Sequence, residues 1–279
     1  MSPSGNPSMA DSTSDDRSEG RDRLAVVLGG AQGIGGATAE LLRQRGWRVV
    51  IADIDVERAG ITAAQCGAVA MSIDMQDANS IAQAAELIER KHGPIHAMVN
   101  SAAVFAPRML PETMPIEAWD RIVNIGYRGA YVACVEFAKR MAGHGAGVIV
   151  NISSMVGGRP NHGHAYYSAK AAVNALTEGM AAEWGRSGVR VNAVSPGFVA
   201  VPRMVANIED GTRYAMSPVD MSALGRLVEP AEVAEAIAFL LSDKASAITG
   251  ANLAVDAGAM AIQGWTIHGG VPPPRARTD

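Results

Sequence analysis

LAVVLGGAQGIGGATAELLRQRGWRVVIAD, running from Leu24 to Asp53, is the stretch that decides the fold. Its first five residues, Leu24-Ala25-Val26-Val27-Leu28, form an unbroken apolar run, as expected of a strand buried on both faces of a sheet. A glycine-rich turn from Gly29 to Gly35 follows at once. Ile34 to Arg45 then has helical spacing ended by Gly46, and a second run, Trp47 to Ile51, stops at Asp53. Strand, turn, helix and strand in this order predict two parallel strands joined by a right-handed crossover. Glycines at such a junction allow a tight turn and let backbone N–H groups approach a pyrophosphate at the helix N-terminus. The spacing is G-x-x-x-G-x-G, at Gly29, Gly33 and Gly35; the strict G-x-G-x-x-G/A form is absent because Thr38 occupies its last position.

The same alternation continues outward. Ala68 to Ile73 reads as a third strand stopping at Asp74, and Ala78, Ile81, Ala82, Ala85 and Ile88 mark one apolar helix face. Ile95 to Val99, Gly147 to Ile152, Val189 to Val194 and Asn252 to Val255 complete seven strands. The predicted fold class is α/β: a single Rossmann-type, doubly wound parallel sheet with helices on both faces. Residues 21–262 form this domain. Residues 1–20 carry only Met1 and Met9 as sizeable apolar side chains and read as a disordered tail. Residues 263–279 are a C-terminal extension in which Pro272, Pro273 and Pro274 favour an extended arm, while Trp265 and Ile267 argue for docking. Among 279 residues, 24 basic side chains meet 28 acidic ones with no Lys/Arg-rich run, which excludes a basic nucleic-acid footprint. No apolar stretch approaches membrane-spanning length. Cys66 and Cys134 match no metal-ligand spacing and argue for a reducing, cytoplasmic setting.

Asp53 lies at the end of the second strand, in register with the glycine turn. A carboxylate there accepts hydrogen bonds from both hydroxyls of an adenosine ribose and repels a 2′-phosphate. Neither Gln32 nor Ile54 supplies a compensating positive charge, so NAD is the expected cofactor rather than NADP. Tyr166 and Lys170 stand four apart in AYYSAKAAVNALTEGMAAEW, which puts both on one helix face. A phenol is a poor base at neutral pH, with a reference pKa of about 10. A neighbouring ammonium and a positive nicotinamide ring would lower that value, letting Tyr166 exchange a proton with an alcohol. Tyr167 is rejected for this role because its i+4 partner is Ala171.

These residues carry a family resemblance. From Leu24 to Ile262 the chain resembles the short-chain dehydrogenase/reductase family, through the GGAQGIG turn, Asp53, Asp74 in SIDMQ, VNSAA from Val99, Asn124 in RIVNIG, NISS, YYSAK, VRVNAVSPG and ITGANLAVDAG. The resemblance implies a cofactor site built from Gly29, Gln32, Gly33, Ile34 and Gly35, with Asp53 and Ile54 at the ribose. Asp74 and Met75 would flank the adenine, Asn100 with Ala102 would line the cleft, and Pro196 and Val199 would meet the nicotinamide. Asn124 would hold a water that relays protons through Lys170, and a serine would orient the substrate oxygen. The NISS context favours Ser154, whereas the family's usual spacing to the tyrosine favours Ser153; Ser154 is taken. The activity implied is an NAD-dependent alcohol dehydrogenase or ketone reductase acting on CH–OH groups. Enoyl reduction fits poorly because those relatives space tyrosine and lysine more widely. The alternative from another class is a non-catalytic NAD-binding sensor on the same fold.

The chain also departs from the family. Leu28 replaces a usual threonine before the turn, Asn100-Ser101-Ala102-Ala103 replaces N-N-A-G, and Val201 replaces a threonine after the P-G. His162 and His164 lack the further ligands a metal site needs, so no metal is expected. Met204, Met216 and Met221 read as an adaptable pocket wall or as ordinary packing. Arg203 and Arg213 either meet an anionic substrate or face solvent, and solvent is preferred. The helices around Ile116 to Met141 and Ala165 to Trp184 carry surplus apolar surface. The resemblance therefore implies a homotetramer, with a dimer as fallback, and Trp265 and Ile267 buried against a neighbouring subunit.

Overall fold

The computed structural model describes residues 20–105, 109–159, 161–211, 214, 216–265, 267, 269–272 and 275. Seven strands form one sheet: β1 (Leu24–Leu28), β2 (Arg48–Asp53), β3 (Val69–Ser72), β4 (Ala97–Asn100), β5 (Gly147–Ile152), β6 (Val189–Pro196) and β7 (Asn252–Val255). Every pairing is parallel and the order is β3-β2-β1-β4-β5-β6-β7, a doubly wound sheet whose order reverses between β1 and β4. Among the described residues eight α-helices accompany them: α1 (Gly33–Gln44), α2 (Val56–Cys66), α3 (Ala78–His92), α4 (Ile116–Val123), α5 (Gly129–Gly143), α6 (His164–Trp184), α7 (Pro202–Glu209) and α8 (Pro230–Leu241). A five-residue π-helical segment, Asn124–Arg128, joins α4 to α5.

The alternation of side chains along each strand separates two cores. Ala25, Val27, Val49 and Ile51 pack with Leu42 of α1 and Ile237 of α8. Leu24, Val26, Leu28 and Val50 pack with Ile81 and Ile88 of α3 and Phe137 and Met141 of α5. Central strands buried on both sides read as unbroken apolar runs for this reason.

Gly20, the last residue of the expected tail, is buried: its N–H donates to the Arg45 carbonyl at 3.1 Å, and a Cβ there would strike Trp47. The remainder of that tail, and Arg213, Pro273 and Pro274, lie outside the described residues. Among the described residues no helix is long and apolar enough to cross a membrane, and Cys66 and Cys134 are free thiols.

Candidate active site

A cleft of about 1090 Å³ runs across the carboxyl ends of the strands, where a doubly wound sheet places its ligands. The glycine turn forms one end. Gly29 has a left-handed φ of +71°, and a Cβ there would sit 2.6 Å from the backbone of Ala102. A Cβ on Gly35 would come within 2.3 Å of the Gly29 carbonyl oxygen. Both positions require glycine, which brings the turn against the end of β4 and aims the start of α1 into the cleft. Gln32, Gly33 and Ile34 line this part, and Val201 packs 3.4 Å from the Cβ position of Gly33.

Asp53 ends β2 within the cleft wall. One carboxylate oxygen accepts from the Ala31 N–H and the other from the Asp55 N–H, both at 3.1 Å. The carboxylate therefore ties the glycine turn to the start of α2. Arg58 donates to Gln32 Oε1 at 2.7 Å, a cation near the turn that the sequence reading did not place there. Asp74 accepts from Gln76 N–H at 2.8 Å, Met75 is buried, and both line the cleft with Ile54. Ala102 lines the cleft as expected, but Asn100, at the end of β4, does not: it is buried behind the lining, and its Oδ1 has no hydrogen-bond partner among the described residues.

The other end is built after β5 and β6. Ser154, in extended conformation just beyond β5, lines the cleft with Tyr166, and its Oγ accepts from the Val156 N–H at 3.4 Å. Ser153 takes the opposite side: it is 2% exposed and donates to the Lys170 carbonyl at 3.1 Å. Burial pushes the Tyr166 phenol up to about 12, opposed by the Ser154 hydroxyl and the charge of Arg203. Lys170 follows one turn along α6, 3% exposed, and its ammonium donates to the Ile152 carbonyl at 2.6 Å. Burial brings that ammonium down to about 8. Its Nζ lies 5.7 Å from the Tyr166 ring centroid, so the spacing of four does bring the two side chains together.

Pro196 and the buried Val199 continue the wall after β6. Asn124 stands outside the cleft lining, at the start of the π-helical segment; its carbonyl accepts from Gly129 N–H, and Gly126 of that segment packs on Ala169 of α6.

Three groups fall where the sequence alone did not put them. Phe105, in the loop after β4, stacks on Tyr166 at 5.3 Å and 27°. Arg203, read as facing solvent, instead lines the cleft with its guanidinium 3.5 Å over the Phe105 ring. Gln263 begins the C-terminal extension and lines this same chain's cleft, where it accepts from Arg159 Nε at 3.1 Å. No periodicity marks these residues, because each acts from a loop or a short helix. Of the two histidines, His162 lines the cleft, whereas His164 packs 5.9 Å from the Tyr167 ring. Met204, Met216 and Met221 all line the cleft.

This is the architecture of a dinucleotide-linked oxidoreductase. The family model described as Enoyl-(Acyl carrier protein) reductase matches residues 29–260. Cis-4-hydroxycyclohexanecarboxylate dehydrogenase of Sinomonas cyclohexanicum is 39% identical, over 86% of this chain and 98% of its own. Cyclohexanol dehydrogenase of Acinetobacter sp. (strain SE19) is 32% identical, over 84% of this chain and 94% of its own. Among solved structures, the protein described as ribose-5-phosphate isomerase from Brucella melitensis 16M is 40% identical. It superposes with a TM-score of 0.88, over 92% of this chain and 100% of that one. The chain belongs to the short-chain dehydrogenase/reductase family.

Proposed function

We propose that the protein is an NAD(H)-dependent alcohol dehydrogenase or ketone reductase acting on a secondary CH–OH group, with Tyr166 as general acid/base. The observation that carries this reading is that Ser154, Tyr166 and the buried Lys170 line one cleft with the glycine turn, with the Lys170 ammonium 5.7 Å from the Tyr166 ring. A phenol held at about 12 keeps its proton at neutral pH and can give it to a ketone oxygen. Ser154 orients that oxygen, and Lys170 favours the phenolate when the proton must move the other way. Bound NAD supplies the hydride acceptor or donor. A dinucleotide suits the residues present: the Gly29–Gly35 turn leaves room for backbone approach, and the Asp53 carboxylate in the cleft lining is an acceptor for ribose hydroxyls. Asn124 serves as the water-holding member of the relay. An aldose–ketose isomerisation, the activity in the Brucella protein's name, has no net redox change and gives Asp53 and the glycine turn no task. A non-catalytic sensor would have no use for Ser154, Tyr166 and Lys170 together.

Steady-state assays with cyclohexanols and alditols, read as NADH absorbance, test the reading directly; no turnover of any secondary alcohol or ketone would overturn it. The same assay tests the cofactor. Asp53 supports NAD, since its carboxylate repels a 2′-phosphate. Asp53→Ala removes that repulsion, removes charged ribose hydrogen bonds, and leaves Arg58 as the nearby cation. The NAD-over-NADP ratio in kcat/KM is expected to fall by roughly 10–100-fold. Equal use of both cofactors by the unmodified protein would refute the assignment.

The paired serines give a second check. Ser154→Ala is expected to lower kcat by about 10²-fold, as for loss of a donor at a reacting oxygen. Ser153→Ala loses a hydrogen bond to the Lys170 carbonyl and costs about 1 kcal/mol of stability with kcat largely kept. The reverse order of kcat effects would move the role to Ser153.

A homotetramer is the proposed assembly, with a dimer as fallback. Exposed Tyr127 and Tyr131 near the start of α5 support one contact, and Leu253 on edge strand β7 supports another. Trp265 and Ile267 are 51% and 83% exposed in the single chain, as residues covered by a neighbour would be. Light scattering measures the mass.

A further inference from the structure

The charges that line the cleft are sorted by the sheet. Asp53, Asp55 and Asp74 follow β2 and β3, on one side of the switch point. On the other side, after β4, β5 and β6, the lining carries Arg121, Arg159, His162, Lys170 and Arg203, and no carboxylate among the described residues. The acidic end suits ribose hydroxyls. The basic end surrounds the reacting centre, where a neutral alcohol alone would need no such field.

Arg203 is the cation best placed to use that field. Its guanidinium stacks 3.5 Å above Phe105, and Phe105 in turn stacks 5.3 Å from Tyr166. The stack fixes the cation one aromatic ring away from the catalytic phenol, close enough for its charge to pull on Tyr166. A guanidinium carries five N–H donors in one plane. That geometry suits bidentate binding of a carboxylate alongside other hydrogen bonds.

We propose that Arg203 binds a carboxylate of the substrate, so that the secondary alcohol turned over here is a hydroxy acid. Because Phe105 separates the guanidinium from Tyr166, the carboxylate lies several bonds from the carbinol carbon, which excludes α-hydroxy acids. The methionines of the wall, Met204, Met216 and Met221, cover the apolar span between the two polar ends. This proposal rests on the dehydrogenase reading above.

The test compares 4-hydroxycyclohexanecarboxylate and 5-hydroxyhexanoate with their uncharged methyl esters, and includes cyclohexanol. The unmodified protein is expected to prefer at least one acid over its ester by about tenfold or more in kcat/KM. In Arg203→Gln that ratio falls to about one. The ratio is insensitive to any change in Tyr166 acidity, which acts on acid and ester alike. Turnover of cyclohexanol or the esters without preference for either acid would overturn the proposal and leave the dehydrogenase reading standing. Turnover of none of these compounds in either direction would remove both. If Arg203→Gln weakens NAD binding, measured by fluorescence titration, while the acid-over-ester ratio persists, Arg203 belongs to the cofactor site and the proposal fails.

Discussion

Tyr166→Phe is expected to lose roughly 10²–10⁴-fold in kcat, the span of a single general acid/base, while NAD affinity is kept. The substitution deletes one oxygen and keeps the ring. The stack on Phe105 at 5.3 Å and the approach of Lys170 at 5.7 Å both survive, so the cleft keeps its shape. What disappears is the phenolic hydroxyl and the proton it can transfer. Steady-state NADH absorbance with fluorescence titration of NAD separates the two effects. The pH profile adds a signature that a structural role would not produce. With the phenol held at about 12, alcohol oxidation needs the minority phenolate and climbs with pH, whereas ketone reduction uses the protonated form and does not. In Tyr166→Phe the climb flattens. Residual turnover near the unmodified rate would remove Tyr166 from the mechanism.

How far the sequence reaches depends on which physical constraint marks each residue. β1, β5 and β7 are legible to the residue because continuous burial or a sharp turn bounds them: Leu24–Leu28, Gly147–Ile152 and Asn252–Val255. β2 extends to Asp53 and β6 to Pro196, past their apolar runs, because backbone pairing with β3 and β7 continues there. Such pairing is a property of two strands and leaves no trace in either alone. The π-helical Asn124–Arg128 was likewise illegible. Its physical companion is Gly129, where a Cβ would sit 2.4 Å from the Met75 carbonyl oxygen, a long-range contact that local spacing cannot reveal. The same holds for Arg203 over Phe105, which joins the short helix α7 to a loop nearly a hundred positions earlier. Ser153 and Ser154, adjacent in sequence and alike in type, are told apart only by long-range contacts: Ser153 is buried and donates to the Lys170 carbonyl of α6, a partner seventeen positions away. Motif residues at strand ends were legible because position along a buried strand constrains them. Substrate-side residues were not, since loops answer to the ligand rather than to the core.

Lys170→Met is expected to make the protein more stable while removing most of its activity. An ammonium 3% exposed, donating to a single carbonyl, has left water without full compensation. The cost registers as a fall from 10.5 to about 8. A folded-state value below the unfolded one means the native protein binds fewer protons between those limits, so stability rises with pH across that window. Below about pH 8 the full penalty is present, about 3 kcal/mol at the usual conversion. Methionine fills a similar volume without charge, although the Ile152 carbonyl loses its donor. The net gain at pH 7 is expected to be about 1–2 kcal/mol, or roughly 2–8 °C in Tm for a domain of this size. At pH 10 the gain is expected to vanish or reverse, because the native lysine is then largely neutral and still donates to the Ile152 carbonyl. Thermal melts of both proteins without cofactor at pH 7 and pH 10 measure the difference. A variant less stable at pH 7, or a gain unchanged between the two pH values, would show that the buried ammonium is adequately compensated. A gain that shrinks with pH would identify Lys170 as a charge the fold carries at a cost, kept where it can act on the Tyr166 proton.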